Sequence, residues 1–131
     1  MDLDKLLNLA RSALPGAYAP YSGYPVAAAL LTDGGDVFTG VNVENASLGL
    51  TICAERAAVA AAVAGGQRQF SHIAVVAGGE SLPIPCGACR QVLAEFAPAL
   101  PVIVSSRNED VRAYTLAELL PHSFSLPEKS G

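Results

Sequence analysis

Cys53-Ala54-Glu55-Arg56-Ala57-Ala58-Val59-Ala60-Ala61-Ala62-Val63-Ala64, closed by Gly65-Gly66, is the stretch on which the fold turns. Its alanine content and double-glycine stop predict a helix over 54–64. Beyond Glu55 and Arg56 this helix has no polar side, and a helix apolar all round has to be covered on every face. A chain of 131 residues makes one domain, 1–131, and struggles to supply that cover alone. The helix is therefore expected to be covered partly by neighbouring subunits of a symmetric homo-oligomer.

Upstream, Val26 to Thr32 and Val37 to Val43 are apolar runs containing β-branched residues, separated by Asp33-Gly34-Gly35-Asp36. That is hairpin chemistry and predicts two antiparallel strands. Downstream come a strand over 73–77, a helix over 87–97 and a strand over 102–105. Strand, helix, strand, helix, strand with right-handed crossovers makes those strands parallel. A last strand over 111–114 leads into Thr115-Leu116-Ala117-Glu118, a capping-box pattern opening a short helix that Pro121 ends. At the other end, Leu3, Leu6, Leu7, Ala10 and Leu14 recur at helical spacing behind Asp2 and Asp4, up to Pro15-Gly16. The class is α/β.

Composition narrows the functions. The apolar fraction is 51%, yet no apolar run approaches the ~20 residues of a membrane span, so a soluble chain is expected. Net charge is −4 with only 8 Lys and Arg, scattered, which disfavours a polynucleotide partner because that affinity comes from neutralising phosphates. Met1-Asp2-Leu3-Asp4-Lys5 is not the basic start of a secretory signal, and the 3 cysteines cannot all pair, so the cytoplasm is expected.

Every cysteine falls in one of two short clusters, Cys53-Ala54-Glu55 and Pro85-Cys86-Gly87-Ala88-Cys89, each at a helix start. Both helices follow strands of one sheet, so their N-termini come together, and their partial positive charge favours thiolates. Three soft ligands select zinc. For a fourth, His72 lies beyond the far end of a helix that spans roughly 15 Å at ~1.5 Å per residue. His122 sits in the tail, where histidine is more often solvated, so water is the expected fourth ligand. Three thiolates against one zinc leave a net charge of about −1, which weakens the metal as a Lewis acid. Arg56 and Arg90 flank the clusters, and one or both are expected to donate to the ligand sulfurs. Glu55 is placed to take a proton from zinc-activated water. Asn42 and Glu44, alternating onto one face at the end of the second strand, are candidate substrate contacts. In the turn-rich Ala19-Pro20-Tyr21-Ser22-Gly23-Tyr24-Pro25, the two tyrosines pack over a core edge or line a pocket.

Cys-Ala-Glu-Arg followed by Pro-Cys-Gly-Ala-Cys-Arg-Gln resembles the small cytidine deaminases, the branch of the zinc deaminases with three cysteine ligands, a class whose general chemistry is well established. The resemblance runs on through Ala19-Pro20-Tyr21-Ser22, Asn42-Val43-Glu44-Asn45-Ala46 and Glu118-Leu119-Leu120-Pro121. It implies a three-layer α/β/α fold on a five-stranded mixed sheet, one zinc per chain on Cys53, Cys86 and Cys89, and a homotetramer. The implied reaction is hydrolytic deamination of cytidine and deoxycytidine, with zinc-bound hydroxide adding to carbon 4. Glu55 would protonate ring nitrogen 3 and then the departing amine. Asn42 and Glu44 would hold the ribose 3′-hydroxyl, and the backbone at Ala54 would contact the base. Tyr24 stands where the family usually has a base-packing Phe. Phe124 matches a tail aromatic that closes a neighbour's pocket, and Leu48 replaces a Tyr common near the subunit contact.

Three other readings compete. A relative acting on blasticidin S shares the metal motifs but lacks a carboxylate at the position of Glu44. A thiol–disulfide protein using Cys86-Gly87-Ala88-Cys89 leaves Cys53 and Glu55 without a task, and its Pro precedes the pair instead of following it. A purely structural zinc protein would keep its metal and convert no nucleoside.

Overall fold

In the computed structural model, which describes residues 1–127, the apolar runs become the five strands of one sheet. They are β1 (Val26–Thr32), β2 (Val37–Val41), β3 (Phe70–Ala77), β4 (Pro101–Ser105) and β5 (Val111–Thr115), in spatial order β2-β1-β3-β4-β5. The four α-helices are α1 (Leu3–Ala13), α2 (Ala54–Ala64), α3 (Gly87–Phe96) and α4 (Leu116–Leu119).

β1 is antiparallel to both β2 and β3, β3 is parallel to β4, and β5 turns back antiparallel. The strands around α2 and α3 thus share a direction, as the crossover rule predicts. Only β3 and β4 are neighbours, however, because the hairpin puts β1 between β2 and β3. The sheet is mixed for that reason.

β1 reads Val-Ala-Ala-Ala-Leu-Leu-Thr without polar alternation because both its faces are covered. Ala28 and Leu30 join a core with Ala58, Val59 and Ala62 of α2, Leu93 of α3 and Leu116 of α4. Ala27, Ala29 and Leu31 face the other way, onto Leu6, Leu7 and Ala10 of α1. The layers are α1, sheet, then α2 with α3 and α4, the three-layer α/β/α arrangement.

α2 comes unusually close to the sheet. Its Ala54, Ala58 and Ala62 recur every fourth residue, a strip of small side chains against β1 and β2. A Cβ at Gly40 of β2 would lie 2.4 Å from Ala54 O and Ala58 N. Contact at backbone distance leaves no slack in where α2 begins, and that beginning carries Cys53 and Glu55. The opposite side of α2, with Ala60, Ala61, Val63 and Ala64, is exposed.

Smaller features follow their chemistry. Asp2 caps α1 by accepting from Lys5 N at 2.8 Å. Thr115 and Glu118 form the capping box at α4 in both directions. β2 stops at Val41, two residues short of the expectation, since Val43 leaves the hairpin ladder to bridge Tyr18 and Ile52. Among the described residues no helix is long and apolar enough to cross a membrane.

Candidate active site

Cys53 is the N-cap residue of α2 and Cys86 that of α3, both extended and neither spending its side chain on a cap. Cys89 lies in the first turn of α3, fully buried. The three Sγ atoms all lie within 4.8 Å of one another, with Cys53 and Cys86 at 3.9 Å. Tetrahedral zinc with Zn–S bonds of about 2.3 Å separates its sulfurs by roughly 3.8 Å, so the cluster fits that ion. Disulfide sulfurs sit at about 2.05 Å, and all three cysteines are free. Neither His72, paired with Leu31 in the sheet, nor the exposed His122 joins the cluster.

The charges around the sulfurs are unequal. A hydrogen bond from the Cys89 thiol, followed by the Arg56 guanidinium, overcomes burial and brings Cys53 down to about 5. Cys89 is pushed far up by donating that same bond and by burial. Zinc binding releases such retained protons. The two arginines that the sequence grouped together separate here. Arg56 Nη2 donates to Cys53 Sγ and to Thr51 O, both at 3.3 Å. Arg90 reaches Pro85 O through Nε and Leu119 O through Nη1, each at 2.8 Å. Arg90 thus ties the end of α4 to the segment entering Cys86, and its bonds run to carbonyls instead of sulfur.

Glu55 is 5% exposed, and burial raises its carboxyl to about 7. It lines a cavity of about 190 Å³ together with Cys53, Ala54 and Cys86. Tyr24 and Asn42 line the same space. Ligand pockets commonly run to roughly 300–1,000 Å³, so this one suits a single base more than a polymer.

Asn42 is 8% exposed and works as a clasp: Oδ1 accepts from Val26 N at 3.0 Å and Nδ2 donates to Tyr24 O at 2.9 Å. Glu44 stands outside the cavity lining, half-buried. Its Oε1 accepts from Tyr21 N at 2.9 Å and Ser22 N at 3.0 Å, and its Oε2 accepts from Ser22 Oγ. These bonds, that of the Ser22 hydroxyl first, hold its carboxyl below the usual range. Phe124 is also outside the cavity and 69% exposed, its backbone fastened to Gln91 of α3 by bonds of 2.7 and 3.1 Å. Leu48 is 75% exposed.

The sequence reading missed Val26, Thr51, Pro83 and Ile84, which also line the cavity. Thr51 and Ile84 lie in irregular segments with no periodicity to mark them. Pro83-Ile84-Pro85 directly precedes Cys86, and paired prolines before a ligand were a signal available to find it. Ser22, which bonds Glu44, stands in the sequence within the Ala19-Pro20-Tyr21-Ser22 motif but with no role attached to it.

The family described as the cytidine and deoxycytidylate deaminase zinc-binding region matches residues 1–105. A cytidine deaminase of Sporosarcina psychrophila is 45% identical over 99% of this chain and 96% of its own length. One from Halalkalibacterium halodurans is 48% identical over 95% of this chain and 96% of its own. A crystal structure of cytidine deaminase from Burkholderia pseudomallei superposes with a TM-score of 0.90 at 47% identity, covering 95% of this chain and all of that one. Sheet order, sulfur cluster and relatives agree along nearly the whole chain, which therefore belongs to the zinc-binding cytidine and deoxycytidylate deaminases.

Proposed function

We propose that the whole chain acts as one domain that hydrolyses cytidine and deoxycytidine, with water, to uridine and deoxyuridine plus ammonia. The observation that carries this is the buried Glu55 carboxyl sharing one base-sized cavity with two of the three clustered thiols. In this reading Cys53, Cys86 and Cys89 hold the zinc, and Arg56 draws charge from Cys53. Bound zinc supplies Lewis acidity that brings the pKa of water towards neutrality.

Glu55 takes the proton that water gives up, delivers it to ring nitrogen 3, and later carries a proton to the departing amine. The water oxygen adds to carbon 4 as nitrogen 3 takes the first proton. Glu55 then moves the remaining proton of the added hydroxyl to the amine, and the carbon–nitrogen bond breaks as the carbon–oxygen double bond forms, so one water enters and one ammonia leaves. Tyr24 packs on the base and the Ala54 backbone contacts it. Asn42 and Glu44 hold the ribose 3′-hydroxyl, which the 2′-deoxy substrate retains. The exposed side of α2, with Leu48 and Phe124, meets other copies in a homotetramer, where Phe124 closes a neighbour's pocket. The setting is pyrimidine salvage in the cytoplasm.

Incubation with cytidine, deoxycytidine, cytosine and blasticidin S, followed by loss of cytosine-type ultraviolet absorbance, tests this directly. Loss is expected with the two nucleosides. No loss with either, from protein carrying about one zinc per chain, overturns the reading. Glu55→Ala is expected to keep zinc and lose turnover by about 10²-fold or more; near-normal rates would remove Glu55 from the proton path.

A further inference from the structure

Tyr24 carries a hydroxyl at a pocket wall, and the fold gives that hydroxyl a partner. Tyr24 Oη donates to Ser81 O at 2.6 Å. Its ring lies against Gly79, where a Cβ would sit 2.6 Å from Tyr24 Cε1 and 2.7 Å from Cδ1. Gly79 is thus a position where any side chain would displace the ring. Both contacts fall on the irregular segment between β3 and α3, which supplies Pro83 and Ile84 to the cavity lining and then enters Cys86.

The other polar ties of this segment sit at its ends, while in its middle Leu82 packs against the core beneath α2 and α3 and Pro83 is buried. Gly78 N donates to Pro25 O at 2.9 Å and Arg107 N to Gly79 O at 2.8 Å. Arg107 also pairs with Glu80 at 2.9 Å, but both side chains are well exposed and such pairs hold little. At the far end Arg90 holds Pro85 O. Among the described residues, the Tyr24 bond is the one hydrogen bond joining residues 81–84 to another part of the chain, the remaining one being Ile84 N to Leu82 O within the segment. It therefore joins two parts of the lining, the Tyr24 wall and the Pro83–Ile84 wall.

We propose that the Tyr24 hydroxyl is a latch: by holding Ser81 O it fixes the 81–84 segment in its lining position, and so sets substrate affinity without entering the chemistry. Tyr24 is in this respect a positioning residue for Pro83 and Ile84, in addition to whatever its ring contributes. Burial raises its phenol above the ordinary value, so the donor proton is present throughout the neutral range. The inference rests on the deaminase reading for its substrate and on the fold alone for the latch.

Tyr24→Phe removes the hydroxyl and keeps the ring. Expected are a KM for cytidine raised about three- to tenfold, the span of one net hydrogen bond, and kcat within about twofold. Hydrogen–deuterium exchange at the amides of Glu80, Ser81, Leu82 and Ile84 should quicken, most visibly at Ile84, whose N–H is bonded to Leu82 O, with zinc content unchanged. Gly79→Ala should quicken the same amides by pushing the ring aside, and adding Tyr24→Phe to it should quicken them no further. Unchanged exchange in Tyr24→Phe overturns the latch, as does additive loosening in the double variant. A fall in kcat at constant KM overturns it too, by placing the hydroxyl in the chemistry. Should the unaltered protein convert no nucleoside, the deaminase reading fails, and exchange still decides the latch.

Discussion

Glu44 accepts two backbone amides and the Ser22 hydroxyl, and Ser22 Oγ in turn accepts from Tyr24 N at 3.0 Å. One serine thus links the carboxylate proposed to hold ribose with the backbone of the residue proposed to pack on the base. Hydrogen bonds to the ionised form favour it, so Glu44 protonates below the ordinary carboxylate range, with the Ser22 hydroxyl as the largest cause. Whatever depends on that charge is present above the unfolded-state pKa and is lost as pH falls through the lowered value. In Ser22→Ala the carboxyl moves back up. KM for cytidine, followed from about pH 6 to pH 4 across the usual carboxylate range, should then begin its acid-side rise at higher pH than in the unaltered protein. Superimposable profiles would mean that Ser22 does not tune Glu44. The residue scale is also where the sequence told least about partners. Arg56 and Arg90 look alike beside their cysteines, and Pro85 O together with Leu119 O, the latter brought up by α4, draws Arg90 away from the sulfurs. Nothing near Glu44 in the sequence names Tyr21 and Ser22, more than twenty positions upstream, as the partners of its carboxylate.

At the scale of elements, α2 on β2 is the contact that fixes the sulfur cluster. Gly40 carries no φ constraint; its role is space, because an added Cβ would meet backbone atoms of α2 that cannot rotate away. Gly40→Ala must move the helix, at a cost of about 1–3 kcal/mol or more by analogy with overpacked cores. Cys53 and Glu55 move with it. Denaturant titration should show that loss, and zinc content should fall in parallel. Gly16→Ala, where nothing lies within 4 Å of the added carbon, should change neither. If Gly40→Ala matched it, α2 would have freedom that the geometry denies. Helix positions were legible in the sequence because caps and stops are local: Asp2, the Thr115–Glu118 box and Gly65-Gly66 each mark an end with their own side chains or lack of them. Strand neighbours were not. A hairpin places β1 beside β2 but says nothing about which of the two receives β3 on its free edge; in the fold it is β1, buried along nearly its whole length, while the less buried β2 stays at the edge.

For the whole molecule the open physical question is what covers α2. Five of its eleven residues, Ala54, Glu55, Ala58, Val59 and Ala62, are buried within the chain, while Ala60, Ala61, Val63 and Ala64 remain exposed. Leu48, Leu50, Ile52, Phe124 and Leu126 add further large apolar side chains at 45–75% exposure. Apolar surface on that scale is what subunit contacts bury. In the proposed homotetramer a pocket combines Glu55 of one chain with Phe124 of another, and that arrangement has a signature a monomer cannot produce. Mix Glu55→Ala chains with Phe124→Ala chains, unfold and refold them together with zinc, and a random assembly pairs an intact Glu55 with an intact Phe124 in about a quarter of its sites. Turnover should then exceed the average of the two variants refolded separately, while light scattering reports the tetramer mass. Activity equal to that average would show that each pocket is closed by its own tail. A monomer mass at working concentration would leave the exposed side of α2 to be covered by something other than this chain.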